Sequence, residues 1–535
     1  MDLLAFLGGV LSEVFLFSRG EWDRHGKSIV KGFSVLSVSS ICLLTTVLGF
    51  PLGTSIKNTI SLTIAVLSGL FGSMIVYRLF FHPLKSFPGP KGARVTAFWM
   101  LWQNVPDLRF YVKLRSLHND YGDFVRIRPR EISICHPDAV VDIYGPINKM
   151  RKAEFYEQLH PHQNLQLSRD PAFHHQKRRH WDRAFSKKAL LEYQPKLRRH
   201  YTTLMDILTN RVASKESIDA TELFMDLAFD IVSDLTFGKS FDKLSTGIPN
   251  PIIDEFLREK KGVGFILQMM WLLHLSKALP AVDSRLQEWV RWYDRELAER
   301  KEMVVHSADF YTYLSQADNF ERDGAYEAQL AIIAGADTVA VVLSNMCYLI
   351  CRYPHYQAEL YAELVTLPLN GVIIDDQHLS GLPVLSGVIN EALRLYPPTP
   401  SGLQRLTPPE GATIAGRYIA GEMVVSVPTY ALQRDKRAFV KPNDFIPERW
   451  YSQPELVLRK DAFIPFSYGP YNCAGRPLAM MEIRMILAML IRRFEISFAP
   501  GKEAECQKFI GDQADCFALH IHSLPLVLKE RRGRP

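Results

Sequence analysis

No Asn-X-Ser/Thr sequon occurs in this sequence, and cysteine is scarce: seven residues, at positions 42, 135, 347, 351, 473, 506 and 516. An odd, scattered set excludes the disulfide framework of a small secreted protein. The missing sequons likewise disfavour a glycosylated lumenal part, so the bulk of the chain is expected in a reducing compartment, the cytosol. There is no dense Lys/Arg run interleaved with aromatics, so nucleic-acid binding is not expected. A Gly-x-Gly-x-x-Gly dinucleotide fingerprint is absent, as are internal repeats and low-complexity tracts. What remains is a globular composition, 47% hydrophobic and 22% charged over 535 residues. The formal net charge of +6 suits an anionic membrane surface or an acidic partner.

Uncharged apolar runs crowd the N-terminus. Gly32 to Ile56 and Asn58 to Tyr77 carry no charge, and Lys57 separates them. A span needs about 20 apolar residues for a core of roughly 30 Å, so membrane spans are expected near 33–52 and 58–77. The second is the stronger candidate, because the first is rich in Ser and Thr and contains Pro51. Residues 1–17 form a third candidate span, shorter and interrupted by Glu13. Arg19, Arg24, Lys27 and Lys31 on one side, and Arg78, Lys85 and Lys91 on the other, place both flanks in the cytosol by the positive-inside rule. Residues 1–80 therefore read as a membrane anchor. Residues 81–92, with Phe87-Pro-Gly-Pro-Lys-Gly92, read as a stiff hinge.

From 93 to 535 the pattern predicts one domain, mainly α with small β-sheets. Amphipathic helical runs lie near 106–121, 171–191, 194–213, 219–237, 284–303, 325–353, 355–366, 382–396 and 475–494. Strand-like stretches cluster near 123–135, 412–427 and the C-terminal end.

Four motifs carry chemistry. The loop Phe466-Ser-Tyr-Gly-Pro-Tyr-Asn-Cys473-Ala-Gly475 precedes an apolar helix. A helix N-terminus stabilises a thiolate, and Gly469 and Gly475 let backbone approach a flat ring. Ala334-Gly-Ala-Asp337-Thr338 sits inside an apolar helix, where Asp and Thr are poor choices unless they handle protons. Glu391-Ala-Leu-Arg394 places opposite charges at i and i+3, and Arg449 of Pro447-Glu-Arg-Trp450 could join them. His174 and Arg178, at i and i+4, put two cation-capable groups on one helix face, with Arg405 a further candidate for an anionic cofactor arm.

Taken in this order, the motifs resemble the cytochrome P450 superfamily over nearly the whole chain after the hinge. The resemblance implies haem b with Cys473 as axial ligand and metal-binding residue. It further implies a cysteine loop shaped by Phe466, Gly469 and Gly475, and proton delivery by Asp337 and Thr338. Glu391, Arg394 and Arg449 match its structural charge cluster, and His174, Arg178 and Arg405 would hold the haem propionates. Two positions depart from the family pattern. Tyr471 stands where Arg or His is more usual, and His174 where Trp is common, which shifts propionate charge onto Arg178 and Arg405.

The same resemblance implies a monooxygenase of the endoplasmic reticulum membrane, catalytic domain cytosolic. Electrons would come from NADPH through a partner reductase, with cytochrome b5 as an auxiliary donor, since 62 residues after Cys473 are too few for a flavin domain. The substrate pocket is expected from residues 153–172, 262–279, the Gly335 turn, Thr399 to Leu403 and the segment around Phe517. Ile266, Leu267, Met269, Met270, Trp271 and Leu272 would make it apolar, suited to a terpenoid, prenylated alkaloid or polyketide of fungal secondary metabolism. A haem-thiolate isomerase or dehydratase, and a non-enzymatic haem sensor or electron carrier, are the alternatives.

Overall fold

The computed structural model describes all residues except 1, 19, 106, 148, 305–306, 368–374 and 532–535. Arg19 therefore lies outside the described residues.

Three helices form the N-terminal part: α1 (Asp2–Ser12), α2 (Gly26–Thr46) and α3 (Leu52–Val76). The last two, with their flanking turns, are long and apolar enough to anchor the chain in a membrane, and few of their residues are buried by protein. The expected boundary at Lys57 is displaced. Pro51, with φ fixed at −54°, starts α3, so the turn is at 47–51 and Lys57 lies inside the second helix. The Ser/Thr content of α2 costs little, because Ser34, Ser37, Thr45 and Thr46 donate to carbonyls four residues back. Helix α1 packs on α3 where Gly9 meets the Val66 backbone and Gly69 meets the Phe6 carbonyl, an approach that any Cβ would block.

The large domain is helical with small sheets, as its pattern predicts. The helices used below are α4 (Pro171–Ala184), α5 (Ala220–Phe237), α6 (Pro251–Ile266), α7 (Met270–Ser276), α8 (Phe320–Arg352), α9 (Pro383–Leu395) and α10 (Arg476–Arg493). Helix α8 is also apolar enough to span a membrane, but 72% of its apolar window is buried, so it is the core helix of the domain. Two expectations fail. The break near 191–194 is absent: Lys187–Ser214 is one helix with Pro195 in its third turn. Helix α6 has no counterpart in the predicted runs, because its charged stretch Asp254 to Lys261 hides the apolar face.

A five-stranded sheet frames one end of the core: β1 (Phe124–Arg128), β2 (Glu131–Ile134), β3 (Arg151–Lys152), β4 (Arg405–Leu406) and β5 (Val424–Ser426). The spatial order is β1-β2-β5-β4-β3, with β2 and β5 parallel and the other pairs antiparallel. A hairpin, β6 (Ala514–Cys516) and β7 (Ala518–His520), turns at Phe517 and packs on α6 and α8.

Candidate functional site

A cavity of about 270 Å³ lies between α8 and the loop preceding α10. The Cys473 side chain opens into it from one side, and Ala334, Gly335 and Thr338 of α8 line the other. Burial pushes the Cys473 thiol up; the N–H groups of Gly475 and Arg476 at the start of α10, and the guanidiniums of Arg178 and Arg476, oppose this. The loop is held by a 3.0 Å hydrogen bond from the Cys473 N–H to the Phe466 carbonyl, and Phe466 lines the cavity.

The two glycines serve different ends. Gly469, at φ +71°, is required because a Cβ would strike the Tyr144 carbonyl, and it does not line this cavity. Gly475 lines the cavity and has only ordinary contact distance to Phe185, so protein packing does not demand a glycine there.

The basic residues separate just as clearly. Arg178 donates to the Asn472 carbonyl and side chain at 2.8 Å each and pairs with Asp182 at 2.7 Å. It thereby braces the residue next to Cys473. His174 is no cation: burial, then Lys152, Arg178 and Arg405, depress its pKa to about 3, and its ring lies 4.5 Å from that of Tyr471. Arg405 sits over the rings of Tyr144, Tyr156 and Tyr471 at 5.2, 5.6 and 5.1 Å, and its buried Nε has no hydrogen-bond partner.

Sequence reasoning missed Lys152. It pairs directly with Arg405 across β3 and β4, is buried, and donates to the Leu165 and Gln166 carbonyls at 3.2 and 2.7 Å. Burial and the fields of Arg405 and Arg178 push its pKa well down. Two buried cations opposite each other on neighbouring strands repel, and neither forms an ion pair with a described acid. Such a pair fits an anionic group entering from the cavity. Nothing in the local sequence marks Lys152, because its partner Arg405 lies on a strand 253 positions away.

On α8, Thr338 faces the cavity and its hydroxyl donates to the Ala334 carbonyl at 2.9 Å. Gly335 is small because a Cβ would lie 2.6 Å from Val232 on α5, as well as lining the cavity. Asp337 turns away from the cavity lining and is held by Lys260 of α6. Glu391, Arg394 and Arg449 come together fully buried. Arg394 meets both Glu391 oxygens at 2.8 and 2.9 Å, and Arg449 meets one at 3.0 Å. The Trp450 ring N–H and the Ile446 N–H complete the shell of the carboxylate. The cluster ties α9 to the turn at Pro447–Trp450, and none of its three residues lines the cavity.

The predicted wall is only partly realised. Tyr156, Leu165, Thr399, Leu403 and Phe517 line the cavity, but no residue of 262–279 does. Trp271 instead stacks edge-on against Phe98, and α7 packs on the turn that leads into α2. Met269 and Met270 are buried away from the cavity, and Leu267 borders a smaller neighbouring one.

The Cytochrome P450 family model matches residues 88–511. The chain is a cytochrome P450. Cytochrome P450 monooxygenase nodW of Hypoxylon pulicicidum is 36% identical to it over 99% of this chain and 98% of that one. Tryprostatin B 6-hydroxylase of Neosartorya fischeri is 34% identical over 90% of this chain and 88% of that one. The crystal structure of the cytochrome P450DA heme domain superposes with a TM-score of 0.67 at 19% identity, covering 80% of this chain and 95% of that one. The cytochrome P450 fold is thus shared, and the chain is a monooxygenase of that family. Its haem-thiolate cofactor fits the residues present: an inward cysteine at a helix start, a ring-sized apolar cavity, and buried cations without acids.

Proposed function

We propose that this cytochrome P450 inserts one atom of O2 into a bulky apolar substrate of secondary metabolism, with electrons from NADPH passed by a separate reductase. The other atom leaves as water, which takes two electrons and two protons. The observation that carries the reading is Cys473 opening into an apolar cavity whose edge holds Lys152 and Arg405 without a counter-acid. Haem held there through Cys473 would supply an iron centre able to activate O2.

The chain's residues have distinct tasks in this reading. Cys473 would be the ligand, and the α10 N-terminus and Arg178 favour its anionic form. Lys152 and Arg405 would pair with propionates, Phe466 and Gly475 would border the ring, and His174 and Tyr471 would be neutral neighbours. Thr338 presents a hydroxyl at the cavity wall and can hold a proton donor there. Asp337, one residue before, would draw protons from the side of Lys260. Glu391, Arg394 and Arg449 would keep the frame of the proximal side.

The anchor helices and the basic residues beside them favour an endoplasmic reticulum membrane with the large domain cytosolic. A membrane-bound reductase would then dock near Cys473, with cytochrome b5 as a second donor. A terpenoid, prenylated alkaloid or polyketide would suit the apolar cavity, and one relative is by name a tryprostatin B 6-hydroxylase.

Extracts from the source organism with and without the gene test the reading directly. The expected result is a lost product and an accumulated precursor lighter by one oxygen. Purified protein is expected to turn over only when reductase accompanies NADPH. Turnover without oxygen would instead favour an isomerase or dehydratase. Thr338→Ala is expected to raise the peroxide released per NADPH consumed, and unchanged coupling would count against its proton role.

A further inference from the structure

Beside the main cavity lies a second one of about 70 Å³, and the two share Tyr156, Leu403 and Phe517 as a common wall. The ring of Phe517 stacks on Phe155 with centroids 5.4 Å apart at this boundary. In the smaller cavity polar atoms make up a larger share of the lining than in the main one. Its charged groups are Arg128, Glu131 and Asp515.

Two of these satisfy one another. Arg128 pairs with Glu131 at 3.4 Å and donates to Gln268, while Gln404 donates to Glu131 at 3.0 Å. Asp515 is left over. Its carboxylate accepts only from neutral donors, the Phe517 N–H at 3.0 Å and the Ser401 hydroxyl. Among the described residues no cation lies within ion-pair distance of it. Lys260, whose field reaches it, is committed to both oxygens of Asp337. Burial raises the Asp515 pKa to about 6, so at neutral pH it is mostly ionised. A buried charge without a partner is costly, and such groups are retained where a ligand supplies the partner.

The backbone supports this. Phe517, a bulky residue, sits at φ +82°, a strained conformation that Asp515 locks by accepting its N–H. The lock holds the Phe517 ring in the wall common to both cavities and keeps the Asp515 carboxylate in the lining of the smaller one.

We infer that the smaller cavity is a subsite for a protonated amine of the substrate, with Asp515 as its counter-ion and the apolar body lying in the main cavity. This deepens the oxygenase reading and rests on it for the role of the larger cavity. The subsite has room for a group of about dimethylammonium size. It would fix which end of an otherwise greasy molecule points away from Cys473 and so select the atom oxidised.

The test is equilibrium dialysis of the haem-loaded full chain against two probes. One is phenylbutyl-dimethylamine, charged at neutral pH; the other is its hydrocarbon isostere with CH in place of the nitrogen. The native chain is expected to bind the amine at least about tenfold more tightly than the isostere. Asp515→Asn is expected to abolish that preference while changing isostere binding by less than roughly twofold. Ser401→Ala, which keeps the carboxylate, is expected to retain the preference. A native chain with no preference, a preference that survives Asp515→Asn, or equal losses in both variants would overturn the proposal. The reduced carbon-monoxide spectrum of the same samples reports separately on the haem-thiolate reading: its failure with an intact amine preference would leave the subsite standing.

Discussion

Lys260 of α6 donates to both carboxylate oxygens of Asp337 on α8, at 2.7 and 2.5 Å, and to the Leu519 carbonyl at 3.0 Å. All three groups are buried, so the pair joins α6, α8 and the β6–β7 hairpin at one point. Lys260→Met would strand the Asp337 charge, and is expected to destabilise the protein by about 3–5 kcal/mol. Lys260→Met combined with Asp337→Leu should recover most of that loss, because no buried charge is then left over. Denaturant unfolding of the two singles and the double gives the coupling. Additive losses would mean that the pair is not an energetic unit.

In the proposed function Lys152 and Arg405 would hold the anionic arms of the cofactor. Each of Lys152→Met and Arg405→Met is expected to speed haem loss by about tenfold or more, the worth of one charge-assisted contact of roughly 1.5–3 kcal/mol. Transfer of haem to an apo-globin acceptor measures it. His174→Phe is expected to change that rate far less, since His174 is neutral down to about pH 3.

Glu391 neutralises two guanidiniums that no water reaches. Glu391→Ala leaves both charges buried, a loss of about 3–5 kcal/mol or more. The expected outcome is little soluble, folded protein by circular dichroism. Arg394→Met alone, leaving the Glu391–Arg449 pair, should be milder; equal severity would argue against charge balance as the cause.

Glu482 on α10 is buried with one oxygen unpartnered, and desolvation raises its pKa to about 8. The unfolded chain releases this proton near the ordinary value of 4.5, the folded chain near 8. Folding therefore binds a proton, and this group's contribution to stability falls as pH rises from about 4.5 to 8. Glu482→Gln should leave Tm unchanged near pH 4.5 and raise it relative to the native chain at pH 8. Parallel melting curves across that window would show that Glu482 ionises freely.

Much of this protein is local chemistry, and the sequence alone determined it. Two apolar helices, a Pro/Gly break, a helical domain, and the cysteine loop ahead of α10 all follow from neighbours in the chain, whose periodicity and turn residues act over a few positions. The Glu391–Arg394 pair is of this kind, because i and i+3 share a helix face whatever the fold. What no local pattern carries is distance between remote segments and the field they make together. Only the tertiary structure set Lys152 against Arg405, 253 positions apart, and so gave the buried charge that calls for an anion. It brought Lys260 to Asp337, removing that acid from the cavity wall. It made His174 neutral by burying it beside cations, and it sent the helix Met270–Ser276 to the base of the anchor instead of the main cavity. Burial and electrostatics depend on every element packed around a group, and that information exists only once the chain has closed on itself.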